Sequence, residues 1–182
     1  MILNEREIRQ NTVLEAARQI MLAARTAPKG KGIDIIEIAT VTDEKIIELS
    51  HEMLRISEET GLKFLIRDAD NILKAEAIVL LGTAQKTLGL NCSYCGYVTC
   101  LAKPEAVPCA INTIDLGIAI GSACAKAADL RVDSRVMFSV GLAAERLGYL
   151  GEKSKCIIGI PLSASSKNPF FDRQTKTPPV QS

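Results

Sequence analysis

Cys92, Cys95, Cys100 and Cys109 are four of the six cysteines in this chain of 182 residues, and they crowd into one stretch, residues 90–109. Two residues separate the first pair, four the second and eight the third. A thiolate is a strong ligand for soft metal ions, and several converging on one point hold zinc or an iron–sulfur cluster. Gly96, directly after Cys95, lets the backbone turn tightly enough to fold around such a centre.

Four chemistries compete for this loop. One is a [4Fe–4S] cluster on Cys92, Cys95, Cys100 and Cys109. The second is a structural zinc ion on the same four thiolates, and the third a redox pair of Cys92 with Cys95. In the fourth the thiols are small packing residues, the commonest fate of a free cysteine. Four cysteines so close together are too dense for packing alone, and a redox pair leaves Cys100 and Cys109 without a task. Zinc sites usually take two separated close pairs, whereas one close pair and two single cysteines stand here, so the spacing favours a cluster over zinc. Cys124 falls among small residues of a predicted helix and Cys156 among strand apolars; both read as packing thiols.

The rest of the chain must position that loop. Its length suits one domain with a sizeable core. Hydrophobic residues make up 47% and aromatics only 4%, with no Trp, so the packing must be aliphatic. Lys and Arg number 22 against 21 for Asp and Glu, which gives no basic field for nucleic acid. No apolar run reaches the ~18 residues that span a bilayer. The N-terminus is charged and lacks the apolar core of a signal peptide. A cytoplasmic protein is expected, and in a reducing compartment cysteines point to metal, cluster or catalytic roles before disulfides.

Asn4, with Glu7 three residues on, caps a long amphipathic helix that ends near Arg25, where Pro28, Gly30 and Gly32 break the pattern. A strand is predicted over 33–40. Thr42 or Asp43 then caps a helix with an apolar stripe of Ile46, Ile47, Met53 and Leu54, ended by Gly61. Residues 64–74 read as a short strand or turn followed by a short helix. Residues 75–82 form a buried strand that leads into the cysteine loop. From Ala110 a helix follows, with Ile111, Ile114, Ile118, Cys124 and Ala128 at helical spacing and small residues from Gly117 to Ala123. A strand over 135–140, a short helix over 142–147 and a last strand over 155–162, ended by Pro161, complete a single α+β domain over 1–162. Residues 163–182, rich in Ser and Pro, form a tail that is ordered only where it docks on something.

The run Asn91-Cys92-Ser93-Tyr94-Cys95-Gly96-Tyr97-Val98-Thr99-Cys100 resembles the small 4Fe–4S domain of several anaerobic redox proteins. That domain continues to a fourth, more distant cysteine. The resemblance makes Cys109 the fourth ligand, with Cys124 as the alternative because the family spacing is longer. The whole chain is similar to a family of prokaryotic proteins labelled as containing a ferredoxin domain. This likeness rests on residues 23–32, the cysteine loop, 115–123, 159–162 and 167–171.

A more distant resemblance is to the FMN-dependent nitroreductases. There too a first helix ends in Ala-Pro, as at Ala27-Pro28, before a polar turn and a strand. A later helix carries a Gly/Ala-rich face, and a late strand ends Gly-x-Pro, as at Gly159-Ile160-Pro161. The resemblance implies an α+β fold with a nitroreductase-like mixed sheet flanked by helices. It also implies a homodimer with flavin at the interface and C-terminal segments that embrace the partner. By that analogy Lys29, Lys31 and the amides between them hold a flavin phosphate, with Arg6, Arg9 and Arg173 as further candidates. From the residues alone the same turn reads as a solvated one.

Other candidates are thin. His51 falls on a polar helix face, and Asp129, Arg131 and Asp133 read as a charged helix end. No catalytic triad, phosphate-binding loop or dinucleotide fingerprint is present. The expectation is an iron–sulfur electron-transfer protein, possible flavin-linked oxidoreductase chemistry included, with an unidentified electron donor or acceptor. The alternatives are a zinc-stabilised protein-interaction module without catalysis and a sensor that signals through thiol oxidation or cluster loss.

Overall fold

The structure is a computed structural model, and it describes residues 1–171. Helix α1 spans Glu5–Thr26. Asn4 caps it as predicted: its carboxamide oxygen accepts the Arg6 amide at 3.1 Å, and its amide nitrogen reaches Glu7 at 3.3 Å. Val13, Ala17, Ile20 and Ala24 recur at helical spacing and form its buried face. A single 3-10 turn, Gly30–Gly32, leads into strand β1, Ile36–Val41, which starts later than the predicted strand. Helix α2 follows over Glu44–Thr60 and ends at Gly61, whose positive φ of 74° lets its amide bond back to Ser57.

The α2 stripe differs from the expected one. Ile46 and Met53 are buried together with Leu49 and Ile56, while Ile47 and Leu54 face outward. Residues Phe64–Ile72 form one helix, α3, with no strand before it. Leu65, Ala69 and Ile72 fall on one face, and α3 packs that face with α2. Strand β2, Ala77–Ala84, is buried on both sides. Its alternation divides the core: Ala77, Val79 and Leu81 face one helix layer, Ile78 and Leu80 the other.

Helix α4, Ala110–Asp129, lies with α1 on the first face of the sheet. Its small residues Ala119, Ala123 and Ala127 pack inward against α1, and Ser122 donates to the Ala23 carbonyl at 2.7 Å. The predicted isoleucine stripe is on the opposite side, with Ile114 47% and Ile118 41% exposed. Close approach of two helix backbones requires small side chains, so the alanines win the interior and the isoleucines are turned out.

The two-residue strand β3, Asp133–Ser134, precedes helix α5, Phe138–Arg146. The second half of the strand predicted over 135–140 is therefore helix; only Met137 keeps a β-bridge, to Gly159. Packing decides this. Gly141 lies so close to the sheet that an added Cβ would stand 1.6 Å from the Ile157 carbonyl oxygen. Helix α5 thus rests its backbone directly on strand β4, Ser154–Ser163. Proline does not end β4: Pro161 sits opposite Ile78, and pairing continues to Ser163. Proline has no N–H to give to the ladder, so β4 passes Pro161 with one donor fewer and its pairing resumes on either side.

The sheet runs β1-β2-β4-β3 with every pairing antiparallel. A bulge between Leu81 and Thr83 sets Cys156 at a φ of 53°. Beyond β4 the chain folds back. Phe170 is buried in the core beneath α2, α3 and α5, and its carbonyl accepts from Arg135 at 2.6 Å. Arg135 also stacks over Phe171, 4.8 Å from the ring centre. Residues 172–182, Arg173 among them, lie outside the described residues.

Candidate functional site

The cysteine loop connects β2 to α4, and both of its roots are tied to the turn after α1. At the entry, Leu88 is buried and its carbonyl accepts from Lys31 Nζ at 3.2 Å. Asn112, in the first turn of α4, donates to the Ala84 and Lys86 carbonyls at 3.3 and 2.5 Å. One turn further on, both carboxylate oxygens of the buried Asp115 accept the Gly30 amide, at 3.0 and 2.9 Å. Gly30 is wedged there: a Cβ would stand 2.9 Å from Ile111 and 3.0 Å from Leu88. The β2 exit, the start of α4 and the turn after α1 therefore form one rigid base.

Above this base the loop turns sharply. Asn91, Ser93 and Gly96 have φ of 49°, 61° and 87°, and the Gly96 amide closes a turn onto the Ser93 carbonyl at 2.9 Å. Asn91 and Cys100 clasp across the loop, the Cys100 amide donating to Asn91 Oδ1 at 2.8 Å and the Asn91 amide to Cys100 Sγ at 3.4 Å. Lys103 reaches the Pro104 and Val107 carbonyls at 2.9 and 2.5 Å, which stiffens the return to α4.

All six cysteines are free thiols. Cys92, Cys95 and Cys100 are half-buried within the loop, and Cys109 is buried at the N-cap of α4. Among the described residues no three Cys, His, Asp or Glu side chains are gathered as a metal-binding group. The fold thus carries the four predicted residues on one loop without drawing their sulfurs into a closed ligand set. Metal binding commonly completes such a loop, because the ion supplies the attraction that thiols lack among themselves. The donor chemistry does fit an iron–sulfur cluster. There are four thiols, residues 87–102 hold no charged side chain, and one backbone N–H is already directed at a sulfur. Cys124 and Cys156 pack against the α1/α4 core, and burial pushes both thiols up; the Glu145 charge adds to the shift at Cys156.

The lysines after α1 are committed within the chain. Lys29 has a side chain only 5% exposed; it caps α1 through the Ala24 carbonyl at 3.1 Å and the Arg25 carbonyl, and stands 3.6 Å from Asp34. Lys31 holds Leu88. Partial burial pushes the Asp34 carboxyl up, but the Arg25 hydrogen bond, the Ile36 amide and the charges of Arg25 and Lys29 outweigh it and hold it below the usual range.

A different set of cations is concentrated at the other end of α1. Arg6, Arg9 and Arg131 line an open hollow of about 610 Å³ with Asp133, Ser165 and Ser166. Arg9 is paired with Glu5 at 2.7 Å. Arg131 reads in sequence as part of a helix end. Its approach to Arg6 comes from the packing of α4 on α1 and from its left-handed φ of 59°. His51 is exposed on α2 as expected.

A four-stranded antiparallel sheet between an α1/α4 layer and an α2/α3/α5 layer places the chain in the nitroreductase fold. A nitroreductase with bound FMN from Bacteroides fragilis superimposes with a TM-score of 0.63 at 15% identity, over 92% of this chain and 86% of that one. A second, from Desulfitobacterium hafniense with bound FMN, gives 0.59 at 16% identity over 84% and 78%. A BluB-like flavoprotein from Clostridium difficile gives 0.56 at 18% identity over 90% and 85%.

In sequence, residues 105–173 match the family described as "Uncharacterized protein containing a ferredoxin domain (DUF2148)". An "Uncharacterized protein" of Archaeoglobus fulgidus is 40% identical over 186 residues, which cover 97% of this chain and all of that one. The chain belongs to this ferredoxin-domain family. The matched segment includes Cys109, Cys124 and Cys156 and begins after Cys100. Among the described residues no helix is long and apolar enough to cross a membrane.

Proposed function

We propose that the protein is an iron–sulfur electron carrier in which Cys92, Cys95, Cys100 and Cys109 hold one [4Fe–4S] cluster. The observation that carries this reading is the loop itself: four free thiols on one tightly turned segment braced at both roots, three of them on its uncharged part, residues 87–102. A bound cluster would supply one-electron chemistry. The chain's own part is to fix the roots, to direct the Asn91 amide at Cys100 Sγ, and to hold Cys109 away from water at the start of α4. Hydrogen bonds to ligand sulfurs and exclusion of water are the means by which a protein sets a cluster's potential.

The reading extends to a flavin as second cofactor, which would make the protein an oxidoreductase that couples one- and two-electron steps. With Lys29 and Lys31 engaged in the α1 turn, the arginine hollow supplies the better phosphate site: Arg6, Arg9 and Arg131 carry the charge, and Ser166 adds a hydroxyl, that of Ser165 being given to the Lys167 carbonyl. The outward Ile114 and Ile118 side chains on α4 support a homodimer, because an apolar helix face is the kind of surface that a second copy covers.

The test is anaerobic purification with iron and acid-labile sulfide assays and a low-temperature EPR spectrum after dithionite reduction. About four irons and four sulfides per chain are expected. Stoichiometric zinc without iron would replace the electron carrier by a zinc-stabilised interaction module. Titration of the protein with FMN, read by quenching of flavin fluorescence, tests the second cofactor separately.

A further inference from the structure

Outside the loop and the arginine hollow, a cleft of about 320 Å³ opens between α4 and α5 over the bulge of β4. Its walls are Leu116 and Gly117 from α4 and Phe138 and Leu142 from α5, and its floor is Cys156 and Ile157. Small-molecule sites have this character: a concave space of at least about 300 Å³, mostly apolar, with few polar groups.

Two features of the chain keep the cleft open. Gly117 sits in mid-helix, where glycine is unfavourable by about 1 kcal/mol relative to alanine, and a Cβ there would meet no atom within 4 Å. The β4 bulge turns Cys156 out of the regular strand alternation, with its φ of 53°.

Charge selects among ligands. Among the described residues Glu145 is the only charged one in the lining, and Lys155 pairs with it at 3.1 Å. Thr113, at the rim, already donates its hydroxyl to the Ala110 carbonyl at 2.8 Å. The described lining holds no Lys or Arg to receive an anion, so a phosphate or carboxylate entering here would lose its hydration without compensation. The arginine hollow is separate and has the opposite character.

We infer that the α4–α5 cleft is a binding site for a neutral, apolar, ring-bearing small molecule, distinct from the cysteine loop and from the arginine hollow. The ring lies between Phe138 and Leu142 on one side and Gly117 on the other, above the Cys156 thiol. This inference goes beyond the electron-carrier reading and does not depend on it.

The test uses the full chain purified anaerobically, with 2-naphthol as the neutral probe and 2-naphthoate as its anionic counterpart. The chain has no Trp, so the probe's fluorescence is read directly. Saturable 2-naphthol binding is expected, with 2-naphthoate at least about tenfold weaker. Bound 2-naphthol should slow iodoacetamide labelling of Cys156, read by peptide mass spectrometry, while labelling of Cys124 is unchanged. Gly117→Leu should fill the cleft and weaken 2-naphthol about tenfold or more, whereas Gly121→Leu, equally open but outside the lining, should not. Circular dichroism and the melting temperature check that both variants fold, and the Cys156 protection experiment on the unaltered chain needs no variant.

Absence of binding, binding without protection of Cys156, or equal binding of both naphthalenes would overturn the proposal. So would exclusion of the probe by a second copy packed over the cleft, seen as binding that appears only on dilution to monomer. Iron and sulfide content, measured on the same preparation, reports independently on the electron-carrier reading.

Discussion

Asn91 and Cys100 hold each other in both directions: the Cys100 amide donates to the Asn91 carboxamide oxygen at 2.8 Å, and the Asn91 amide donates to the Cys100 sulfur at 3.4 Å. Asn91 does this at a φ of 49°, a conformation that asparagine tolerates better than most residues. Asn91→Gly keeps the backbone conformation and removes only the carboxamide. The expected loss is about 1 kcal/mol of loop order, roughly a fivefold drop in iron retained after chelator challenge, with an unchanged far-UV spectrum. Unaltered retention would mean that the clasp plays no part in holding the centre.

The six cysteines separate into two groups by position. Serine at Cys92, Cys95, Cys100 or Cys109 should each abolish the full iron and sulfide complement. Serine at Cys124 or Cys156, both packed on the α1/α4 core, should leave it intact. If Cys124→Ser loses iron and Cys109→Ser keeps it, the fourth ligand is on the body of α4 and not at its N-cap.

Gly141 is where α5 meets the sheet. A methyl group there would overlap the Ile157 carbonyl, a backbone atom that cannot turn aside. Gly141→Ala should lower stability by about 3 kcal/mol or more, measured by urea denaturation, or prevent folding. Gly117→Ala is the control. It adds the same methyl group to open space and should be neutral or slightly stabilising.

Asp34 links the turn after α1 to acid stability. Its folded carboxyl titrates below its ordinary value of 3.8, so the unfolded chain takes up its proton first as the pH falls. The contribution is complete above the unfolded value and is lost as pH drops through the folded one, below about pH 4. Asp34→Asn should therefore lower stability at pH 7 by less than about 1 kcal/mol and leave it nearly unchanged near pH 2. Thermal melts across that range give the comparison.

Much of the architecture is legible without coordinates. The Asn4–Glu7 cap, the stop at Pro28, the Gly61 terminus and the apolar run of β2 all express local backbone geometry, which acts over a few residues. Residues 135–140 illustrate the limit. Their composition suits a strand, yet Gly141 and its contact with Ile157 make the second half of that segment a helix. The inner face of α4 has the same kind of origin: both alanines and isoleucines recur at helical spacing, and only the close approach of α1 selects the alanines for the interior.

The same division holds for the candidate site. The number, spacing and chemical softness of Cys92, Cys95, Cys100 and Cys109 are properties of the sequence by itself, because ligand identity is covalent. Their bracing by Lys31, Asn112 and Asp115, the capping role of Lys29, the meeting of Arg6 with Arg131 and the cleft over Cys156 were decided only by tertiary structure. Each of these brings together residues far apart in the chain, and it is the packing of helices on a shared sheet, not any local pattern, that sets which of them meet.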